Sequence, residues 1–299
     1  MPARFLGMPV IHTVWPYLAL MLLLAGVFPL LERRTDWKLF AVLPPIVLVY
    51  LVVTALAVAG AWQVNAEIQS AQALAVGRGV PALLFLLMIN CDLRAIARLG
   101  PRVLAVFVST TFSLFVAFLT VFLLLRPWLA GKAWQPLAAL AGSWVGGTAN
   151  QIGVKQAIGM SDDLLAMSLL TDALCYSMWV VVLFSVARLA PAFNRWARAR
   201  SSGDIPVVER PAAGPTTWDN VLLWLGLALA AAALAEVLAG HLPVSGMMSR
   251  ATWTILLATG FGLVVAHTPL ARFPGANAIS SALLIGVVAV LASQSNFHG

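Results

Sequence analysis

The sequence predicts an all-α, polytopic membrane protein of about nine transmembrane helices, one of them broken. Three observations carry this reading. Apolar runs of bilayer length recur along the whole chain. Only 10% of the 299 residues are charged, and mean hydropathy is +0.93, where an ordinary soluble domain has about a quarter of its residues charged. One run is interrupted by "GSWVGGTANQIGVKQ" (142–156), which places glycines and amides where lipid satisfies no polar group.

The elements follow in chain order. The run 14–31 is too long for a cleavable signal, and no small-residue cleavage site precedes Glu32, so it reads as a retained span. Glu32, beside Arg33, sits at its interface. The second span is 38–62. The third, 79–91, is short unless "DLRAIA" continues it, and Asp92 ends it as a helix cap, a partner of Arg94 or Arg98, or the lining of an entrance. Spans 103–126, 134–158 and 164–190 come next. The connector 191–217 is rich in Arg, Pro, Ser and Gly and reads as a flexible surface loop. Spans 218–240, 251–267 and 277–295 close the chain. Glu236 and His267 lie near the ends of their runs, and tryptophans such as Trp15, Trp62, Trp128 and Trp218 form an aromatic belt.

Residues 1–190 thus read as a first membrane repeat, 191–217 as a loop and 218–299 as a partial second repeat. Two internal echoes support a transporter-like repeat: "GVPALLFLLMINCDLR" against "SALLIGVVAVLASQSNF", and Leu18–Glu32 against Leu222–Glu236. The basic clusters complicate the topology. Arg33, Arg34 and Lys38 share a side with Arg94, Arg98 and Arg102, but three further spans put Arg195, Arg198 and Arg200 on the other side. Either one span between 103 and 190 does not fully cross, or one cluster departs from the positive-inside rule.

Composition removes several function classes. The net charge of +7 comes from loop arginines and does not point to nucleic acid. Cys91 and Cys175 both lie in apolar runs and form neither a disulfide scaffold nor a metal site. HExxH, GxSxG, P-loop and CxxC patterns are all missing. No cofactor is expected beyond Na+ or H+ as a coupling ion.

The chemistry concentrates in two consecutive spans. Gly142, Gly146, Gly147 and Gly153 make the run 134–158 easy to unwind, and Thr148, Asn150 and Gln151 supply donors and acceptors at the break. The expected result is a polar pocket flanked by two half-helix ends of opposite partial charge. Close helix packing through Gly142 and Gly146 is the simpler alternative, but it leaves Thr148, Asn150, Gln151 and Lys155 unexplained. In the following span, Ser168, Asp172, Cys175 and Tyr176 share one face. A carboxylate as deep as Asp172 costs about 2.5–3.5 kcal/mol on insertion scales, so it must pair, be protonated or meet an ion. Lys155 is its nearest basic neighbour in sequence, and the alternative for Lys155 is an interfacial, snorkelling lysine.

The stretches "LFLLMINCDLRAIARLGPR" and "GSWVGGTANQIGVKQAIGMSDDLLAMSLLTDALCYSMWVV" resemble the YjcL-like family of bacterial and plant membrane proteins, a domain of unknown function. The matching features are the D-L-R at Asp92–Arg94, the G-[ST]-[WY]-x-G-G-[ST]-x-N pattern from Gly142 to Asn150, and Asp172 in the next helix. The resemblance is strongest from Pro81 to Trp179. It implies kinship with the bile-acid:sodium symporter and cation–proton antiporter superfamily. Its further implications are a panel domain on a core domain, two crossing broken helices and secondary, cation-coupled transport. No second N-x-G-G-like motif follows before "LASQSNFHG", so the second repeat reads as incomplete: either the sequence is a fragment, or a separate chain supplies the missing C-terminal half.

The leading reading is therefore a secondary active transporter of the bacterial inner membrane. It would be surrounded by lipid, form a homo-oligomer and carry a small polar or anionic solute. Its site would comprise Gly146, Gly147, Thr148, Asn150, Gln151, Lys155, Asp172 and Tyr176, with Asp92 at an entrance. The alternatives are an intramembrane enzyme using Asp172 and Asn150, and a non-transporting scaffold or receptor subunit.

Overall fold

The computed structural model describes residues 4–5, 8–37, 39–91, 93, 100–129, 131–187, 190–196, 214–245 and 248–294. Its helices are α1 (Val14–Arg34), α2 (Leu39–Val42), α3 (Pro45–Val58), α4 (Ala66–Ile89), α5 (Gly100–Leu125), α6 (Trp134–Gly146), α7 (Thr148–Ile158), α8 (Asp162–Ala187), α9 (Ala190–Trp196), α10 (Trp218–Ala239), α11 (Arg250–Ala266) and α12 (Ala276–Ala292). A two-residue strand pair, Arg4–Phe5 with Met8–Pro9, precedes α1. Every apolar run read from the sequence contains a helix. Four, among the described residues, have the length and composition to cross a membrane: α1, α4, α5 and α10. The apolar helices α3, α11 and α12 are shorter.

Three boundaries differ from the sequence reading. The run 38–62 is not one span. It is divided at Leu43–Pro44, because Pro45 has no amide proton to continue α2 and Pro44 is held extended at φ −55°, ψ 150°. The run 79–91 is the apolar end of the longer α4, whose first turns, "AEIQSAQ", are polar; Asn65 caps them, accepting from Ile68 N–H at 2.9 Å. The connector 191–217 begins with α9, and most of the remainder, like Asp92 and most of "DLRAIA", lies outside the described residues.

The helix α4 is the axis of the molecule. One side of it packs in a core with Tyr17, Met21, Tyr50, Val53, Ile152 and Leu291. Its C-terminal half, through Ala82, Phe85 and Leu86, packs against Trp224, Ala228 and Ala232 of α10. The alanine stripe of α10 and Gly262 of α11 permit close approach to α4; a Cβ at Gly262 would run into the Phe85 carbonyl. By contrast α5 exposes Phe107, Phe112 and Leu124, an apolar surface suited to lipid.

The directions of the helices follow from residue pairs. Ile11 N–H bonds the Ala61 carbonyl at 3.0 Å and the Tyr17 and Trp62 rings lie 5.8 Å apart, so α1 starts where α3 ends. Gln72 near the start of α4 meets Ser293 just past α12, and Gly79 faces Val287, so α4 and α12 are antiparallel. One end of the bundle therefore holds Tyr17, Trp62, Gln72 and Ser293; the other holds Pro44 and the C-termini of α1 and α4.

The run 134–158 does not cross from one end to the other. Pro136 and Ser143 of α6 meet Ser168 and Asp172 of α8 in the same order, so α6 and α8 are parallel. Gln151 and Lys155 of α7 meet Ser168 and Asp162 in reverse order, so α7 is antiparallel to α8. The two half-helices fold back on each other as a re-entrant hairpin with Gly147 at its apex. Gly142 lies against Val154 and the Asn150 backbone, where a Cβ would be only 2.9 Å from Val154 Cγ2. The small residues thus serve this close approach as well as the break. The hairpin also bears on two of the basic clusters. With 134–158 entering and leaving on one side, α8 ends at the Pro44 end. Arg33 and Arg34 in the last turn of α1, and Arg195 in α9 after α8, then all stand at or beyond helix ends on that side.

Candidate functional site

The apex is set by Gly147, at φ +81° and ψ −178°, a conformation that essentially only glycine adopts. It terminates α6, with its N–H on the Ser143 carbonyl at 2.5 Å, and starts α7, with its own carbonyl accepting from Asn150 N–H at 3.0 Å and Gln151 N–H at 3.2 Å. The electronegative end of α6 and the electropositive end of α7 therefore meet at one point.

A cavity of about 460 Å³ opens beside this apex. Its polar groups are Ser143, Gly147, Thr148, Asp172 and Tyr176, and its aromatic wall includes Trp144 and Trp179. The Trp144 and Trp179 rings lie 6.4 Å apart at 49°. The far wall is Pro44, Ile46 and Val47 at the α2–α3 interruption. Asp172 is only partly exposed. Its Oδ2 accepts a 2.6 Å hydrogen bond from Ser143 Oγ, and Trp144 is a second side-chain partner. This arrangement holds a carboxylate by neutral donors, with no lysine or arginine among the described lining residues.

Of the residues singled out in the sequence, Gly147, Thr148, Asp172 and Tyr176 line this cavity. Gly146 and Asn150 do not; the Asn150 amide folds over Gly146, where an added Cβ would collide with it. Gln151 is fully buried behind the apex. Its Nε2 donates to Ser168 Oγ at 2.7 Å, and its Oε1 has no partner among the described residues. Lys155 does not reach Asp172; its Nζ lies 2.7 Å from Asp162 Oδ1 at the start of α8. The reason is direction: α7 runs away from the apex while α8 runs toward it. The left-handed Gly159 (φ +62°) then turns the chain so that Lys155 and Asp162 meet. Asp92 lies outside the described residues.

Sequence reasoning missed Ser143, Trp144, Trp179 and the Pro44 wall. Ser143 and Trp144 lie inside the quoted motif, but nothing in their spacing singles them out. The Pro44–Pro45 pair is a helix breaker in plain view. Only Trp179, one turn beyond Tyr176 on the polar face, was legible solely through folding. Among the described residues no group of His, Cys, Asp or Glu could hold a metal.

These features define the class of protein: an all-helical chain whose apolar helices are those of a membrane protein, with a re-entrant hairpin at its centre. The chain belongs to the family described as Protein of unknown function (DUF819), which matches residues 19–299. No curated protein and no solved structure matches it.

Proposed function

We infer that the protein is a secondary active transporter that couples Na+ or H+ to the movement of a small polar or anionic solute. The observation that carries this reading is the pairing of Asp172 with Ser143 at the hairpin apex, inside a cavity that also receives the N-terminus of α7. A carboxylate there with no basic partner among the described residues favours a bound cation or proton. Once neutralised, it no longer repels a solute anion from the electropositive end of α7 at Thr148. Cation and solute then stabilise each other's binding, which is the thermodynamic requirement for coupling. Tyr176 and Trp179 supply the apolar side of the solute pocket.

Two further features support the reading. Re-entrant backbone at membrane depth is tolerated where it lines a protein-enclosed cavity, as transporter sites do. The α4 and α12 segments that echo each other in sequence run in opposite directions, as inverted repeats require. The kinship with the bile-acid:sodium symporter and cation–proton antiporter superfamily belongs to the same proposal. By the positive-inside rule the Pro44 end, and with it the cavity beside the apex, faces the bacterial cytoplasm.

The test is reconstitution of the full chain in liposomes under an imposed Na+ or pH gradient, with a panel of labelled small carboxylates and zwitterions. Gradient-dependent uptake that disappears in Asp172→Asn is the expected result. Solute-induced thermal stabilisation without flux under either gradient would instead make the protein a binding subunit.

A further inference from the structure

A second cavity, of about 530 Å³, lies at the Trp62 end and shares no lining residue with the cavity beside the apex. It forms where the α3–α4 connection, the polar first turns of α4 and the end of α12 meet. Gln72 and Ser293 form its floor, and with Tyr17 behind them they make a hydrogen-bond network of nearly inaccessible groups: Tyr17 at 0%, Ser293 at 2% and Gln72 at 4% exposure. The donors and acceptors of this network resolve fully. Ser293 Oγ donates to the Val290 carbonyl at 2.6 Å, so it only accepts from the Tyr17 hydroxyl and from Gln72 Nε2, the latter at 3.0 Å. Gln72 Nε2 gives its other proton to the Tyr17 oxygen at 3.2 Å. With both amide protons engaged, Gln72 offers the cavity its acceptor Oε1.

The rim carries three more carboxamides, Gln63, Gln69 and Gln294. Gln63 is steadied by His12, whose Nδ1 lies 3.0 Å from its Oε1. Trp62, edge-on to Tyr17, forms a wall with Ala57 and Ala73. Among the described residues, no charged side chain lines the cavity.

This chemistry narrows the occupant. A charged ligand would lose its hydration and find no counter-charge. An apolar one would leave buried carboxamide groups unpaired. A molecule with several hydroxyls both donates to Gln72 Oε1 and exchanges paired hydrogen bonds with the rim amides, while its C–H surface meets Trp62. We propose that this cavity binds an uncharged polyhydroxylated molecule of mono- or disaccharide size, the volume lying within the ~300–1,000 Å³ of ordinary small-molecule sites.

The test uses the full chain in a detergent without a sugar headgroup, titrated calorimetrically with glucose, maltose and trehalose. Gluconate and glucosamine serve as charged controls. Saturable binding of at least one neutral sugar is expected, with the charged analogues at least about tenfold weaker. Gln69→Leu and Gln294→Leu, both at the rim, are expected to weaken that binding about tenfold, the equivalent of one or two hydrogen bonds, without lowering the melting temperature. Asp172→Asn, at the other cavity, leaves it unchanged. The proposal is overturned if no neutral sugar saturates or the charged analogues bind equally. It is equally overturned if the rim variants bind as wild type, or if Asp172→Asn abolishes binding.

Discussion

Ser143 Oγ donates a 2.6 Å hydrogen bond to Asp172 Oδ2 across the α6–α8 contact, and this bond holds the carboxylate that lines the apex cavity in place. The two residues are 29 positions apart. They meet because α6 and α8 run parallel, which the hairpin makes obligatory. An asparagine at position 172 still accepts from Ser143 through its Oδ1. Asp172→Asn is therefore expected to keep or raise the melting temperature while abolishing cation-coupled uptake. If the variant transports fully and melts well below wild type, Asp172 is a structural residue.

Ser143→Ala removes the donor and leaves the carboxylate short of a partner. The expected cost is about 1–3 kcal/mol of stability, with a lowered affinity for the coupling cation where Asp172 loses its orientation. A cation titration followed by thermal shift reads both effects. Unchanged affinity together with unchanged stability would remove Ser143 from the site.

Gly147→Ala tests the apex. An added Cβ meets no atom within 4 Å, so any loss is conformational rather than steric. At φ +81°, ψ −178° the expected cost is about 1–3 kcal/mol. Gly26→Ala, in α1, also has open space but lies within regular helix, and is expected to be neutral or mildly stabilising. Equal melting temperatures for the two variants would show that the hairpin apex is not as described.

Lys155 and Asp162 form a pair with side chains 8% and 21% exposed. Lys155→Met leaves Asp162 partly buried and unpaired. A loss toward the lower end of the ~3–5 kcal/mol seen for broken buried pairs is expected. Adding Asp162→Asn should restore part of it, so a double-mutant cycle should be strongly non-additive. Additive losses would mean that the two residues act independently.

The fold-back at Gly147 puts Arg33, Arg34 and Arg195 at one end, and that end is expected to be cytoplasmic. In a chain with Cys91→Ser and Cys175→Ser, a membrane-impermeant maleimide should label Gln63→Cys in intact cells. Asp36→Cys should react only after permeabilisation. The opposite pattern would invert the proposed orientation.

The membrane class and the site of the break were legible from sequence, because both are local. Length and apolar composition report a span directly, and Gly146–Gly147 followed by Thr148 announces a helix that cannot continue. The same local logic marked Asp172, whose depth alone makes it costly. What the sequence could not decide was where the chain goes after the break. A helix that unwinds and continues and one that turns back have the same residues at the interruption. The difference lies in contacts with partners far along the chain, Ser143 with Asp172, Gln151 with Ser168 and Lys155 with Asp162. Tertiary structure therefore decided the hairpin, the partner of Lys155 and the removal of Asn150 from the cavity. It alone assembled the Tyr17–Gln72–Ser293 floor, whose members come from the beginning, the first third and the end of the sequence. Burial in one core forces such distant polar groups to satisfy one another, and no periodicity or spacing along the chain records that demand.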